Sequence, residues 1–204
     1  LVTEVSSGIV IIVFNSILLN LAGNVGVAAY GVIANLSLVI IAIYTGIAQG
    51  IQPIISSNYG AKNTRNIKLI LKYAMTTMLI LSVLIYVTVF LGASQIAGIF
   101  NSEGDAVLQN IATECLRLYF TACPFAGFNI LISIYFTSTE HLRPAHMISL
   151  LRGFLLIIPM AFLLSWLANI YGVWCAFPTT ELLVAAIGLL FYIAIQKKQK
   201  LANI

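Results

Sequence analysis

Residues 5–61 carry no charged side chain, and residues 73–102 carry none either. Runs of this kind do not build a water-soluble fold. A soluble domain devotes roughly a quarter of its residues to charge, whereas here 8% are charged and 61% hydrophobic. A helix crossing a bilayer needs about 20 apolar residues, so a chain of 204 residues with short connections has room for about six spans and no sizeable aqueous domain. The sequence therefore predicts an all-α membrane protein, a bundle of six transmembrane helices.

The apolar stretches place those helices at 3–21, 27–57, 73–92, 107–138, 147–168 and 172–195. The second and fourth exceed the bilayer thickness, which predicts tilt, a kink or projection beyond the membrane. Lys62, Arg65, Lys68 and Lys72 follow the second helix, Arg143 follows the fourth, Arg152 lies near the start of the fifth, and Lys197, Lys198 and Lys200 follow the sixth. These connections share one face of the bundle. The opposite connections, 22–26, 101–105 and 169–171, hold no Lys or Arg. The positive-inside rule makes the basic face cytoplasmic and puts both ends of the chain there. The net charge of +4 then reads as an orientation signal, not as a nucleic-acid footprint. Arg117, inside the fourth helix, is the exception. Segment 62–72 reads either as an interfacial helix with snorkelling lysines or as a plain basic connector.

Pro53, Pro124, Pro159 and Pro178 fall inside predicted helices. Each removes a backbone hydrogen bond and frees a carbonyl, which in lipid needs a neighbouring helix, a hydroxyl or a water-lined cavity. Pro53, Pro124 and Pro178 are the expected kink or hinge positions. Acids at depth are more telling, because a charge at mid-bilayer costs about 2.5–3.5 kcal/mol on insertion scales and faces a cavity or a partner. Glu181 falls near the middle of the sixth helix, one turn after Pro178. It reads either as a functional cavity residue or as an acid held by the Thr179 and Thr180 hydroxyls or by freed backbone groups. Glu4 lies inside the membrane if the first helix begins upstream of Leu1, where it can take up a proton or a sodium ion. It is a solvated helix start if the helix does not.

Asn35, Gln49 and Gln52 on the second helix and Asn129 on the fourth are candidates to line a substrate cavity, with interhelical hydrogen bonding as the alternative. Glu114 and Arg117 are spaced to pair across one helical face. Trp166 and Trp174 flank a connection and read as interface anchors. Cys115, Cys123 and Cys175 are odd in number, sit in apolar runs and read as small hydrophobes.

No phosphate-binding glycine loop, GxSxG or HExxH motif is present, and His141 and His146 are poorly spaced for a shared metal. No enzyme activity, cofactor or metal site is expected. No signal peptide is evident, and the start at Leu1 without Met reads as a fragment.

The stretch 27–63 carries Ala29-Tyr30-Gly31, then Gly46-Ile47-Ala48-Gln49-Gly50-Ile51-Gln52-Pro53, then Asn58-Tyr59-Gly60-Ala61-Lys62-Asn63. It resembles the multidrug and toxic compound extrusion (MATE) family, in which a Gly-x-x-x-Gly-x-x-Pro helix ends in a small polar turn on the cytoplasmic side. Tyr171-Gly172-Val173-Trp174 with Pro178 and Glu181, and Pro124-Phe125 leading to Tyr135-Phe136, are similar to later family elements. The resemblance implies that residues 1–204 are the C-terminal six-helix lobe of a twelve-helix, two-lobe transporter. Its partner is then an N-terminal lobe in the same parent chain.

It further implies a secondary active antiporter in a cell (inner or plasma) membrane, exporting amphipathic or cationic organic compounds in exchange for sodium ions or protons. Glu4 then corresponds to the acid of the family's seventh helix, and Glu4 and Glu181 are the candidate coupling residues. Some relatives also carry an Asp midway along the tenth helix, but residues 118–139 contain no acid, so sodium and proton both remain open. The rival readings are a flippase for a lipid-linked saccharide, an intramembrane enzyme, and a self-contained six-helix protein that pairs with itself.

Overall fold

The computed structural model describes the backbone of residues 2–102 and 104–202 and the side chains of residues 8–102 and 104–198. The helices are α1 (Val2–Gly60), α2 (Thr64–Phe100), α3 (Ala106–Tyr119), α4 (Cys123–Ser138), α5 (Leu142–Leu150) and α6 (Ile157–Ala202). A 3₁₀ turn, Phe120–Ala122, joins α3 to α4, and a π turn, Leu151–Leu155, joins α5 to α6. No strand occurs among the described residues.

The two longest helices are each folded back on themselves. A straight α1 of 59 residues would run about 88 Å, close to three hydrocarbon thicknesses. Gly23, at φ 62° and ψ −154°, breaks it. A Cβ added to Gly26 would lie 3.2 Å from the Leu18 carbonyl oxygen, whereas eight residues of straight helix separate two positions by about 12 Å. The Phe14 and Tyr30 rings stack at 5.3 Å across the same reversal. In α6 the break is at Ala168 and Asn169, the latter in the left-handed region at φ 51°, which Asn tolerates better than most residues. The reversal is so close that a Cβ on Gly172 would lie 1.7 Å from the Leu164 carbonyl oxygen. Six helical rods result among the described residues: 2–22, 24–60, 64–100, 106–138, 142–167 and 170–202.

The third rod starts earlier than the apolar pattern predicts. Its first turns are amphipathic, with Ile67 and Leu71 buried and Lys68 and Lys72 exposed, so segment 62–72 is neither a separate interfacial helix nor a loop. Asn63 caps this rod by accepting from the Asn66 backbone N–H. The fifth rod likewise starts earlier, at Leu142. Pro124 opens α4 just after the 3₁₀ turn, and Pro159 follows the π turn. Pro53 and Pro178 sit inside helix whose non-helical residues lie elsewhere, at Gly23 and at 168–169.

The two rods of α1 pack with α2, α3, α4 and α6 around two buried clusters. The larger includes Phe14, Ile33, Tyr44, Leu116, Leu131 and Trp174. The smaller, toward the basic end, gathers Ile55, Ile67, Leu71, Phe136, Ile148 and Val184. Large apolar side chains such as Leu38, Leu91 and Ile99 point outward, as a bilayer solvent requires. Trp166 is 81% exposed, but Trp174 is fully buried in the core and is not an interface anchor. The chain has the fold of an all-α membrane protein.

Candidate functional site

The two buried clusters meet at a polar contact. Asn129 lies on α4 between Ala126 of the larger cluster and Ile132 of the smaller, and Glu181 lies on α6 between Ala176 and Val184. Arg152 lies in the π turn, between Ile148 and Ile157. By helical rise, Asn129 and Arg152 are each about 14–15 Å from the basic end of their rods, roughly half the hydrocarbon thickness.

Arg152 is brought inward by its local backbone. Pro159 has no N–H to offer the Leu155 carbonyl and its ring crowds that group. The chain widens there, with the Leu156 N–H donating to the Leu151 carbonyl at 3.1 Å, five residues back. The extra residue turns the preceding face toward α6. The Arg152 Nε donates to both Glu181 oxygens at 2.9 Å, and its terminal nitrogen lies 2.9 Å from Oε1. This fork is the strong geometry for a guanidinium and a carboxylate. Glu181 is 2% exposed and Arg152 19%.

Asn129 completes the cluster. Its Nδ2 donates to Glu181 Oε2 at 2.6 Å and to the Glu181 backbone carbonyl at 2.9 Å. The second bond fixes the amide orientation, because a flipped amide would set Oδ1 against a carbonyl oxygen. With the orientation fixed, all the donors aimed at Glu181 require an accepting carboxylate, and Arg152 supplies its countercharge. Asn129 Oδ1 is buried and makes no hydrogen bond among the described residues. The Thr179 and Thr180 hydroxyls do not reach Glu181. They donate to the Cys175 and Ala176 carbonyls, each at 2.8 Å.

Asn129, in the cluster itself, is fully buried and faces no open cavity; the remaining candidates are apart from it. Asn35 is exposed and donates to the Gly31 carbonyl at 2.8 Å, Gln49 is exposed, and Gln52 is half-buried. Asn35 and Gln49 share the outward face of the second rod, about 21 Å apart. They do not converge on Glu181. The Glu4 side chain lies outside the described residues. Glu114 and Arg117 do not pair. Glu114 accepts from the Tyr171 hydroxyl at 2.9 Å, and Arg117 stands 5.2 Å from the Phe90 ring centre, within cation–π range. His141 Nδ1 is 3.0 Å from the Thr139 hydroxyl.

Sequence reasoning counts Arg152 with the basic face and also weighs it as a basic residue at depth; what it misses is the pairing with Glu181. The available signal was its setting, between Leu150-Leu151 and Gly153-Phe154, where an unpaired cation would be costly.

A family model described as MatE matches residues 1–163, a span that holds Asn129 and Arg152 but stops short of Glu181. The multidrug export protein MepA of Staphylococcus saprophyticus is 28% identical over 172 residues, covering 84% of this chain and 37% of that protein. A FAD transporter of Shewanella oneidensis is 27% identical over 160 residues, covering 78% of this chain and 34% of that protein. The fold matches a solved multidrug resistance MATE family transporter of the MOP superfamily in its inward-facing conformation. The TM-score is 0.90 at 19% identity, over 98% of this chain and 46% of that one. The chain thus spans less than half the length of each. These relatives are transport proteins, not enzymes.

Proposed function

The chain belongs to the MatE family, and from that premise we propose that it is the C-terminal six-helix lobe of a multidrug efflux antiporter. The parent protein exports amphipathic or cationic organic compounds in exchange for sodium ions or protons. The basic connections face the cytoplasm, and the outward polar face bearing Asn35 and Gln49 looks onto the other lobe across the substrate path. Transport follows from rocking of two lobes about that path, as in other parallel-repeat transporters.

The observation that carries the reading is the buried Arg152–Glu181–Asn129 cluster. Glu181 is the acid at mid-depth whose countercharge is a tethered side chain and not a fixed ion. A cation can load on Glu181 only by displacing the Arg152 fork, so loading couples to movement of the π turn against α6. Any such ligand shifts the lobe between states only through its different affinity for each. Glu4 is the second coupling candidate.

The test is uptake of a fluorescent organic cation into liposomes holding the full-length protein, with sodium and pH gradients imposed separately. Glu4→Gln and Glu181→Gln run alongside. Gradient-driven movement abolished by either variant names the ion and assigns coupling to this lobe. Movement unchanged in both variants refutes the assignment of either acid.

A second reading is export of an anionic dinucleotide, favoured by the FAD transporter relative. Against it, the basic side chain turned inward, Arg152, is already neutralised by Glu181. Competition by flavin dinucleotide, but not by organic cations, would put this reading first.

A further inference from the structure

A crevice of about 200 Å³ opens toward the basic end of the bundle, between the first turns of α2, the middle of α4 and the last turns of α6. Lys68 and Lys72 stand at it, and Met75, Phe128, Ile132 and Tyr192 form its walls. The two lysines are one helical turn apart and therefore on one face, both exposed. Directly beyond them α2 becomes a continuous apolar span from Tyr73. Charge thus sits where headgroups lie, and the apolar walls run on at the depth of acyl chains.

We propose that this crevice binds an anionic phospholipid, with its phosphate bridging Lys68 and Lys72 and one acyl chain lying along Met75, Phe128 and Ile132. Three features select this occupant. The crevice is smaller than the roughly 300–1,000 Å³ of drug-sized ligand pockets, but has room for a length of hydrocarbon chain. Two lysines repel an organic cation. Basic pockets between transmembrane helices are the established chemistry for acidic headgroups. Lys62, Arg65, Lys197 and Lys198 at the same end enrich anionic lipid nearby without touching the crevice. A lipid seated there would tie α2 to α6, the helix that carries Glu181.

The test is native mass spectrometry of the delipidated full-length protein titrated with phosphatidylglycerol, with phosphatidylcholine in parallel. Binding is read directly and does not depend on what the protein transports. The expected result is one tightly held phosphatidylglycerol. Its affinity should fall on the order of thirty-fold in Lys68→Gln/Lys72→Gln, from the loss of two near-surface charges. Lys197→Gln/Lys198→Gln removes equal charge from the same end and should change it less than threefold. Leu189→Trp fills the crevice from its exposed rim while sparing both lysines, and should also weaken retention. Equal losses in the two lysine pairs, equal retention of phosphatidylcholine, displacement by millimolar inorganic phosphate, or no effect of Leu189→Trp would each overturn the proposal.

Discussion

Replacing Arg152 by Met leaves the Glu181 carboxylate 2% exposed with no countercharge. Removing one partner of a buried pair costs about 3–5 kcal/mol, in line with the roughly 2.5–3.5 kcal/mol for a lone charge at mid-bilayer. The reverse change, Glu181→Gln, should cost less, about 1–3 kcal/mol. The Gln side-chain oxygen still accepts from Asn129, and Arg152 is 19% exposed, which gives its charge a route to a polar surface. The double variant Arg152→Met/Glu181→Leu buries no charge and keeps the residue-181 carbonyl that Asn129 binds. Apolar replacement of both partners is often neutral, so it should fall within about 1–2 kcal/mol of the parent. The assay is reversible unfolding of the full-length protein in mixed micelles with rising detergent fraction, followed by tryptophan fluorescence. A double variant no more stable than Arg152→Met alone would refute the argument that pairing stabilises this site, as would a cheaper loss at Arg152 than at Glu181.

Gly172→Ala should abolish recovery of folded, monodisperse protein on size-exclusion chromatography, because its Cβ would lie 1.7 Å from the Leu164 carbonyl oxygen, a backbone atom with nowhere to move. Gly188→Ala is the control: its Cβ would meet Ile132 and Ile148 side-chain atoms at 3.4 Å, and it should stay within about 1 kcal/mol in the same unfolding assay. Asn129→Ala removes both bonds to Glu181 and should destabilise by about 1–3 kcal/mol. A neutral outcome in that assay would mean that Asn129 does not hold the carboxylate.

The number of rods was legible because hydropathy reports the solvent directly: residues 5–61 and 73–102 have no place but lipid or core. The reversals were legible from small polar connections, and Gly23 and Asn169 supply the unusual backbone angles there. The ends of the rods were not. Hydropathy stops at the first lysine, whereas the α-helix of the third rod continues through Lys68 and Lys72 because Ile67 and Leu71 still have core to bury against. Proline was no guide to the chain reversals. Pro53 and Pro178 sit in continuous helix, while the breaks in α1 and α6 fall at Gly and Asn. Where proline does mark a change of helix type, at Pro124 and Pro159, the change lies in the preceding turn, whose carbonyl the ring crowds.

Glu181 was legible as an acid with no solvent, and Asn129 as a polar side chain inside a long apolar helix. Arg152 was not, because a tally of basic residues by face assumes that each points along the membrane normal. Its inward direction depends on one extra residue in the π turn, a register shift that no periodicity of 3.6 reveals. That shift also gives the site its logic. A chain with few charges holds two of them at mid-depth because they form one neutral unit, and the unit spans a π turn on one side and an α-helix on the other. A cation arriving at Glu181 must take over the oxygens that Arg152 occupies, and the π turn is the local element with slack to let the guanidinium leave. Deleting the extra residue should therefore turn Arg152 away from Glu181 and lower the unfolding midpoint about as far as Arg152→Met does, with ion-driven transport lost as well if coupling runs through this acid. A midpoint unchanged by the deletion would refute the argument that the extra residue aims Arg152 at Glu181.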